Sequence, residues 1–444
     1  MVSGNPDHGP TRRARSSAAG PRILTLNAGS SSLRFSLHRI GEREERLLSG
    51  RASGLDGADP ELRVEDGSGR TIEVVPLASA PGSRGATPVS TPPVRESARA
   101  GAPHRRALEA VLDWLAGPAS ASCGPLGSRP DAIGHRIVHG GERFVEPLRV
   151  TDEVLEGLEA LVPLAPDHLP AELSVLRAAA GAYGDVPQVA CFDTAFHRGM
   201  PKVARRLPLP ALPDGRRLVR YGFHGLSYEY LRGRVAELAG TAALPRRLVL
   251  AHLGSGASLA ALLEGRPVDT TMGFTPAGGL MMATRPGDLD PGVLLYLLRE
   301  GGLSVEGLDE LVNRRSGLLG VSGTSPDMRR LLELEGQDEA AAAAVELFCY
   351  LAAKQLGAMV AALGGLDALV FSGGIGENAP AIRARITVRA EHLGVRLDGE
   401  RNERGEPLIS APDSTVVVRV VPTDEERVIA RHTAALLEGS AGRA

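Results

Sequence analysis

Short apolar runs alternate along this chain with longer stretches in which apolar positions recur at three- and four-residue spacing. The first pattern predicts strands and the second helices, and their alternation predicts an α/β fold. Strands are predicted at residues 23–26, 34–38, 132–138, 188–192, 247–252, 368–371 and 415–421. Helices are predicted at 107–115, 170–180, 227–238, 291–299, 338–363, 379–393 and 424–437. The helix over 338–363 carries alanine on every face, which predicts burial between other elements. The apolar stretch from Ala340 to Phe371 is broken by Glu346, Lys354 and Asp367, too often for a membrane span.

Two segments have no period. Residues 1–20 read as a disordered leader and residues 79–106 as a low-complexity surface insertion, and a shorter Gly/Pro/Ser stretch covers 117–130. One internal similarity organises the rest. With Gly29 set on Gly254, ILTLNAGSSSLRFSL matches LVLAHLGSGASLAAL as strand, Gly-Ser turn, strand. The match predicts a duplicated domain, each half offering one phosphate-holding turn to a shared cleft. Glycine admits close backbone approach, and turn amides with Ser hydroxyls donate to anionic oxygens.

Composition narrows the field. The 444 residues carry 50 basic and 53 acidic side chains, a formal charge of −3, which argues against a surface built for nucleic acid or anionic membrane. Lys202 and Lys354 are the only lysines, and neither stands in a G-x-x-x-x-G-K-[ST] loop or a V-A-I-K strand. P-loop NTPases and protein kinases of ordinary pattern are therefore excluded. Cys123, Cys191 and Cys349 form no C-x-x-C pair, so neither a disulfide framework nor structural zinc is expected. No apolar segment follows Arg12, Arg13 and Arg15, and a cytoplasmic location is expected.

Chemistry-bearing residues gather where predicted strands end. Asn27 to Arg34 place an amide, three hydroxyls and a guanidinium in one turn. Ser372-Gly373-Gly374-Ile375-Gly376-Glu377-Asn378 lacks the dinucleotide G-x-G-x-x-G spacing, but free amides at a helix start suit a nucleotide. Clusters around Arg136, Asp193, His224 and Arg285 add guanidinium, carboxylate and imidazole groups. Arginine and histidine without lysine in the glycine loops suit electrostatic clamping of a phosphoryl group. A carboxylate acceptor needs no general base, whereas a sugar hydroxyl would need one, and Asp193 could serve.

In order, NAGSSSLRFSL, GHRIVHGGERF, FDTAFH, RYGFHG, HLGSGAS, DTTMGFTPAGGLMMATRPGDLDP, RSGLLGVSG, SGGIGEN and VPTDEE closely resemble the acetate/propionate kinase family, from about Ile23 to Ala435. The resemblance implies two duplicated actin-like (ribonuclease H-like) α/β domains with a cleft between them. The expected units are 21–193 with 425–444, and 194–424. It also implies a homodimer, and a reversible in-line transfer from ATP to acetate with Mg2+. By position, Asp193, Arg136, Arg285, His224 and His168 match catalytic residues. Arg136, Val138, Phe223 and Pro276 match the acceptor pocket. Arg34, Ser255, Gly256, Gly374, Gly376 and Asn378 match nucleotide-binding positions. Asn27 and Glu425 match metal positions, with Ser30 and Ser32 in the same phosphate turn.

Three departures stand out. Arg34 replaces the family's usual lysine, Ser255 its usual asparagine, and Asp167 an apolar residue that walls the methyl pocket. Asp167 has two readings. Its side chain can turn to the start of the following helix, where an acid gains about 0.3–1 kcal/mol. Alternatively it faces the pocket, repels a carboxylate and favours a polar short acid. Propionate, butyrate and, further off, a sugar or polyol remain alternative acceptors, and a nucleotide-binding relative without catalysis is the non-enzymatic alternative.

Overall fold

The apolar run around Leu24 forms β1 (Arg22–Ala28), and the first half of the molecule is arranged about it. The structure, a computed structural model, describes residues 20–29, 31–55, 57, 59–77, 101–117, 129–240 and 244–441. Nearly all of the expected leader, most of the expected insertion, Ser30 and Cys123 lie outside the described residues.

β1 pairs antiparallel with β2 (Leu33–Ile40), which continues into β3 (Glu44–Ser53), β4 (Glu61–Asp66) and β5 (Thr71–Pro76). On its other side β1 runs parallel to β6 (Ala132–Ile137). β7 (Leu148–Arg149) closes that edge against β8 (Gln188–Phe192), giving the order β5-β4-β3-β2-β1-β6-β8-β7. The second sheet contains β9 (Arg247–Leu253), β10 (Ala257–Leu263), β11 (Arg266–Thr270), β12 (Ala368–Ser372) and β13 (Val417–Val420), in the order β11-β10-β9-β12-β13. Both sheets therefore share one plan: an antiparallel meander whose first strand is central, followed by two parallel strands. The duplication read from the two Gly-Ser turns is a duplication of topology. The turns differ in length, however. Four residues separate the paired Ala28 and Leu33, and three separate Leu253 and Ala257, so Arg34 corresponds to Ser258.

Helix α1 (Ala102–Ala116) starts five residues before its predicted start and takes over the end of the expected insertion. Pro103 sits in its first turn, where a missing N–H costs nothing and the composition reads as loop. Helix α2 (Leu169–Tyr183) packs against α1 and the first sheet, and α3 (Gly225–Leu238) begins the second half. Helix α4 (Glu339–Leu363) is capped by the Asp338 carboxylate, which accepts from the Ala340 and Ala341 amides. It is long and apolar enough to cross a membrane, yet Ala344, Val345, Phe348, Cys349, Ala352 and Leu356 are buried in the core. Contrary to the expectation of burial all round, Leu347 and Tyr350 lie exposed. The helix predicted over 379–393 is shorter: it spans Pro380–Val388, and a single 3-10 turn follows at Glu391–Leu393. A six-residue helix, α5 (Gly373–Asn378), follows β12, and the C-terminal α6 (Glu425–Ala441) crosses back onto β1, β2, β6 and β8. Cys191 and Cys349 are buried free thiols.

Candidate active site

β6 and β8 lie side by side and in parallel, so Arg136 and Asp193 emerge at the same end of the first sheet. The Asp193 amide donates to the Ile137 carbonyl at 3.0 Å, and its own carbonyl accepts from Gly225 at 2.9 Å. A Cβ on Gly225 would stand 2.1 Å from that carbonyl oxygen, so only glycine permits α3 to start here.

Arg136 is held on every side. Its Nε and Nη2 donate to one oxygen of Asp193 at 2.9 and 2.6 Å, and Nη1 donates to Glu172 at 3.0 Å. The other Glu172 oxygen accepts from the Val138 amide at 2.9 Å. Burial opposes the guanidinium charge, but Asp193 and Glu172 outweigh it and its pKa is raised. Burial pushes Glu172 up to about 7, against the pull of Arg136. Asp193 is raised for the same reason, and its second oxygen is buried without a hydrogen-bond partner. Glu172 was not anticipated from sequence. An acid in the first turn of a helix reads as dipole compensation on a solvent face.

His224 adopts a left-handed backbone (φ 58°) immediately before α3, a strained conformation for a residue of its type. Its Nδ1 lies 2.8 Å from the Ser258 hydroxyl and its ring stacks on His252 at 4.3 Å. Nε2 points at the second phosphate turn. A Cβ on Gly256 would lie 3.1 Å from that nitrogen and 3.3 Å from Arg285 Nη2. Burial, then His252, Arg136 and Arg285, hold the imidazole well below its usual pKa. Its surroundings therefore disfavour the cationic form, and its ring nitrogens act through hydrogen bonds.

Arg285 donates to the Pro276 carbonyl at 2.7 Å and has no carboxylate partner among the described residues. Its pKa is pushed down to about 10 by burial, which the charge of Arg136 reinforces and Asp167 opposes. Val138 and Phe223 are buried in one apolar cluster. His168 is the residue before α2, and its pKa is pushed down to about 3 by burial and by Arg285 and Arg136. The Asp167 carboxylate accepts from Arg314 at 2.6 Å, and no side chain caps the start of α2.

On the nucleotide side, Gly254 approaches α5 closely: a Cβ there would lie 3.7 Å from the Gly374 amide nitrogen. Around Gly374 itself the space is open. The Gly373 amide, expected to await a phosphate, instead donates to Glu377 at 2.8 Å. Asn378 Nδ2 donates to the Gly374 carbonyl at 3.0 Å. Arg383, another residue not singled out from sequence, is fully buried and donates to the Gly376 and Glu377 carbonyls, both at 2.9 Å. At the first turn, His104 of α1 lies 2.7 Å from the Gly29 carbonyl. Arg34, opposite Asn27, borders a cavity of about 140 Å³ with Arg51, Asp424 and Glu426.

Asn27 Nδ2 donates to Glu425 at 2.9 Å and to Glu426 at 3.2 Å. No cluster of three or more His, Cys, Asp or Glu side chains suited to a metal occurs among the described residues. A hard dication held by one or two carboxylates plus substrate phosphates fits this donor set, and the unpartnered Asp193 oxygen supplies a further ligand position.

Two copies of one sheet plan, with Arg285 and His224 meeting at a glycine turn, define a phosphotransferase of the duplicated actin-like class. The chain belongs to the acetokinase family, whose model matches residues 83–431. It is 44% identical over 423 residues to an acetate kinase of Rhodopseudomonas palustris, covering 94% of this chain and 98% of that protein. An acetate kinase of Thermotoga maritima is 40% identical over 427 residues, covering 94% and 99%. The crystal structure of Porphyromonas gingivalis acetate kinase matches with TM-score 0.78 at 37% identity, covering 94% and 100%. A propionate kinase from Francisella tularensis matches with TM-score 0.80 at 32% identity, covering 94% and 99%.

Proposed function

We propose that the protein transfers the terminal phosphoryl group of ATP to acetate, reversibly, forming acetyl phosphate and ADP. The observation that carries this reading is Arg285: a guanidinium without a carboxylate partner beside His224 and the second Gly-Ser turn. Such a group binds a carboxylate or phosphoryl oxygen bidentately. Acetate is ionised at neutral pH, so its oxygen attacks phosphorus with no proton to remove. As the new O–P bond forms, the bond to the ADP oxygen breaks. Arg285 orients the acid, whose methyl group lies against Val138, Phe223 and Pro276, and His168 lines the same side. Arg136, fixed by Asp193 and Glu172, meets the equatorial oxygens without reorganising, and His224 Nε2 adds a hydrogen bond. Ser255, Gly256, Gly374, Gly376 and Asn378 form the nucleotide side, and Arg34 lies toward its phosphates. Mg2+ held by Asn27 and Glu425, with Asp193 nearby, would neutralise charge on the bridging phosphates.

We assign residues 21–193 with 425–444 to one unit and 194–424 to the other, a division supported by the return of α6 onto the first sheet. A homodimer is supported by the helix Pro291–Arg299, which buries no side chain and exposes Val293, Leu295 and Tyr296. The proposed location is cytoplasmic, with no nucleic-acid or membrane partner. Propionate is the second acceptor to consider, given the similarity to a propionate kinase. Trapping acyl phosphate as hydroxamate over acetate, propionate, butyrate and a sugar panel tests the reading. Acetate should give the highest kcat/KM. Phosphorylation of a sugar but of no acid would overturn it.

A further inference from the structure

The Asp167–Arg314 ion pair joins residues 147 positions apart, one at the start of α2 and the other at the end of the helix Val305–Arg314. Each partner sits on a block that carries an active-site arginine. Asp167 precedes α2, whose Glu172 holds Arg136. Arg314 belongs to a segment strapped to the Arg285 loop. Within that strap the Thr284 hydroxyl donates to the Asn313 carbonyl at 2.9 Å, and the Ser316 and Leu318 amides donate to the Thr284 and Met282 carbonyls at 2.9 and 2.8 Å. Gly317 seals it at φ 64°, where a Cβ would stand 2.2 Å from the Met282 carbonyl oxygen. The Asp167 side chain is 22% exposed and that of Arg314 69%.

Chemically, the Asp167 side chain is a tethered acetate: a carboxylate on one methylene. It stands one residue from His168 and acts electrostatically on Arg285, which has no carboxylate partner among the described residues. We propose that Arg314 is a specificity-guarding residue that holds the Asp167 carboxylate away from Arg285, so that a free short-chain carboxylate, not the protein's own, occupies that guanidinium. Asp167 is the leading charge acting on Arg285, which places it within electrostatic reach. This rests on the carboxylate-kinase reading above. It explains how an acid is tolerated where the family's pattern has an apolar wall: its charge is satisfied by Arg314.

The test uses the full-length protein as wild type, Arg314→Ala, Asp167→Asn and the double variant, with hydroxamate-trapped acetyl phosphate as readout. Arg314→Ala should raise KM for acetate about tenfold, because the freed carboxylate competes for Arg285. KM for ATP and kcat should stay within about twofold. Asp167→Asn alone should stay near wild type, and adding it to Arg314→Ala should restore KM for acetate. An unchanged KM in Arg314→Ala, or a double variant no better than the single one, overturns the proposal while leaving the carboxylate-kinase reading standing. A wild type that phosphorylates no short acid overturns both.

Discussion

One oxygen of Asp193 receives both Nε and Nη2 of Arg136, and its other oxygen is buried with no hydrogen-bond partner among the described residues. A buried carboxylate oxygen without a donor is costly unless a ligand completes it.

Replacing Arg136 by lysine should therefore fail as a conservative change. An ammonium cannot span Asp193, Glu172 and the Ala28 carbonyl from one planar fork. We expect Arg136→Lys to lower kcat by roughly 10²–10³ with KM for ATP little changed. Steady-state kinetics in both substrates checks this, and kcat within threefold of wild type would count against the clamp.

Glu172 sets a pH dependence. Its carboxyl, pushed up to about 7 by burial, is ionised above that pH and protonated below it. Protonation weakens its hold on Arg136 Nη1, so activity should fall as pH drops through about 7. Glu172→Gln is neutral at every pH. It should be slower than wild type at pH 8 and should lack that acidic limb. A pH–rate profile of the variant with the limb intact would assign it elsewhere.

Arg383 should contribute to stability and, through the Gly376 and Glu377 carbonyls it holds, to nucleotide binding. Its guanidinium is fully buried and bonds Asn402 Oδ1 at 2.8 Å and the Asn402 carbonyl at 2.6 Å, besides the Gly376 and Glu377 carbonyls. Arg383→Met strands those acceptors and should cost about 2–4 kcal/mol. Thermal unfolding should register the loss, and KM for ATP should rise more than KM for acetate.

Tyr296, 64% exposed on the helix Pro291–Arg299, should lie in the interface of a homodimer. Tyr296→Glu would place a charge in an apolar contact, and light scattering should find the variant shifted toward monomer at micromolar concentration. A wild-type monomer would remove the interface.

The fold was legible where burial is two-sided. β8 and β12 are buried at every residue, so their apolar runs stand out from any surroundings. β4 and the edge strand β5 escaped because they are partly exposed and carry charges such as Glu61, Arg63 and Glu73, a pattern close to that of a polar loop. The start of α1 escaped because Pro103 resembles the low-complexity stretch before it. At the site, Arg136 and Asp193 stand at strand ends and His224 and Arg285 in glycine-containing loops, where local sequence is informative. Glu172, Arg383 and Arg314 sit within ordinary helical sequence. The partners of Glu172 and Arg314 lie far along the chain, 147 residues in the case of Arg314 and Asp167, and no local pattern carries that.

The central claim is that Arg285 awaits a short-chain carboxylate opposite bound ATP. Hydroxamate-trapped acetyl phosphate from ATP and acetate, measured for wild type and Arg285→Ala at equal nucleotide occupancy, tests it most directly. The account predicts acetyl phosphate from wild type and a loss of at least about a hundredfold in the variant, with ATP binding retained. Undiminished turnover in Arg285→Ala, or no acyl phosphate from the wild type with any short acid, would contradict it.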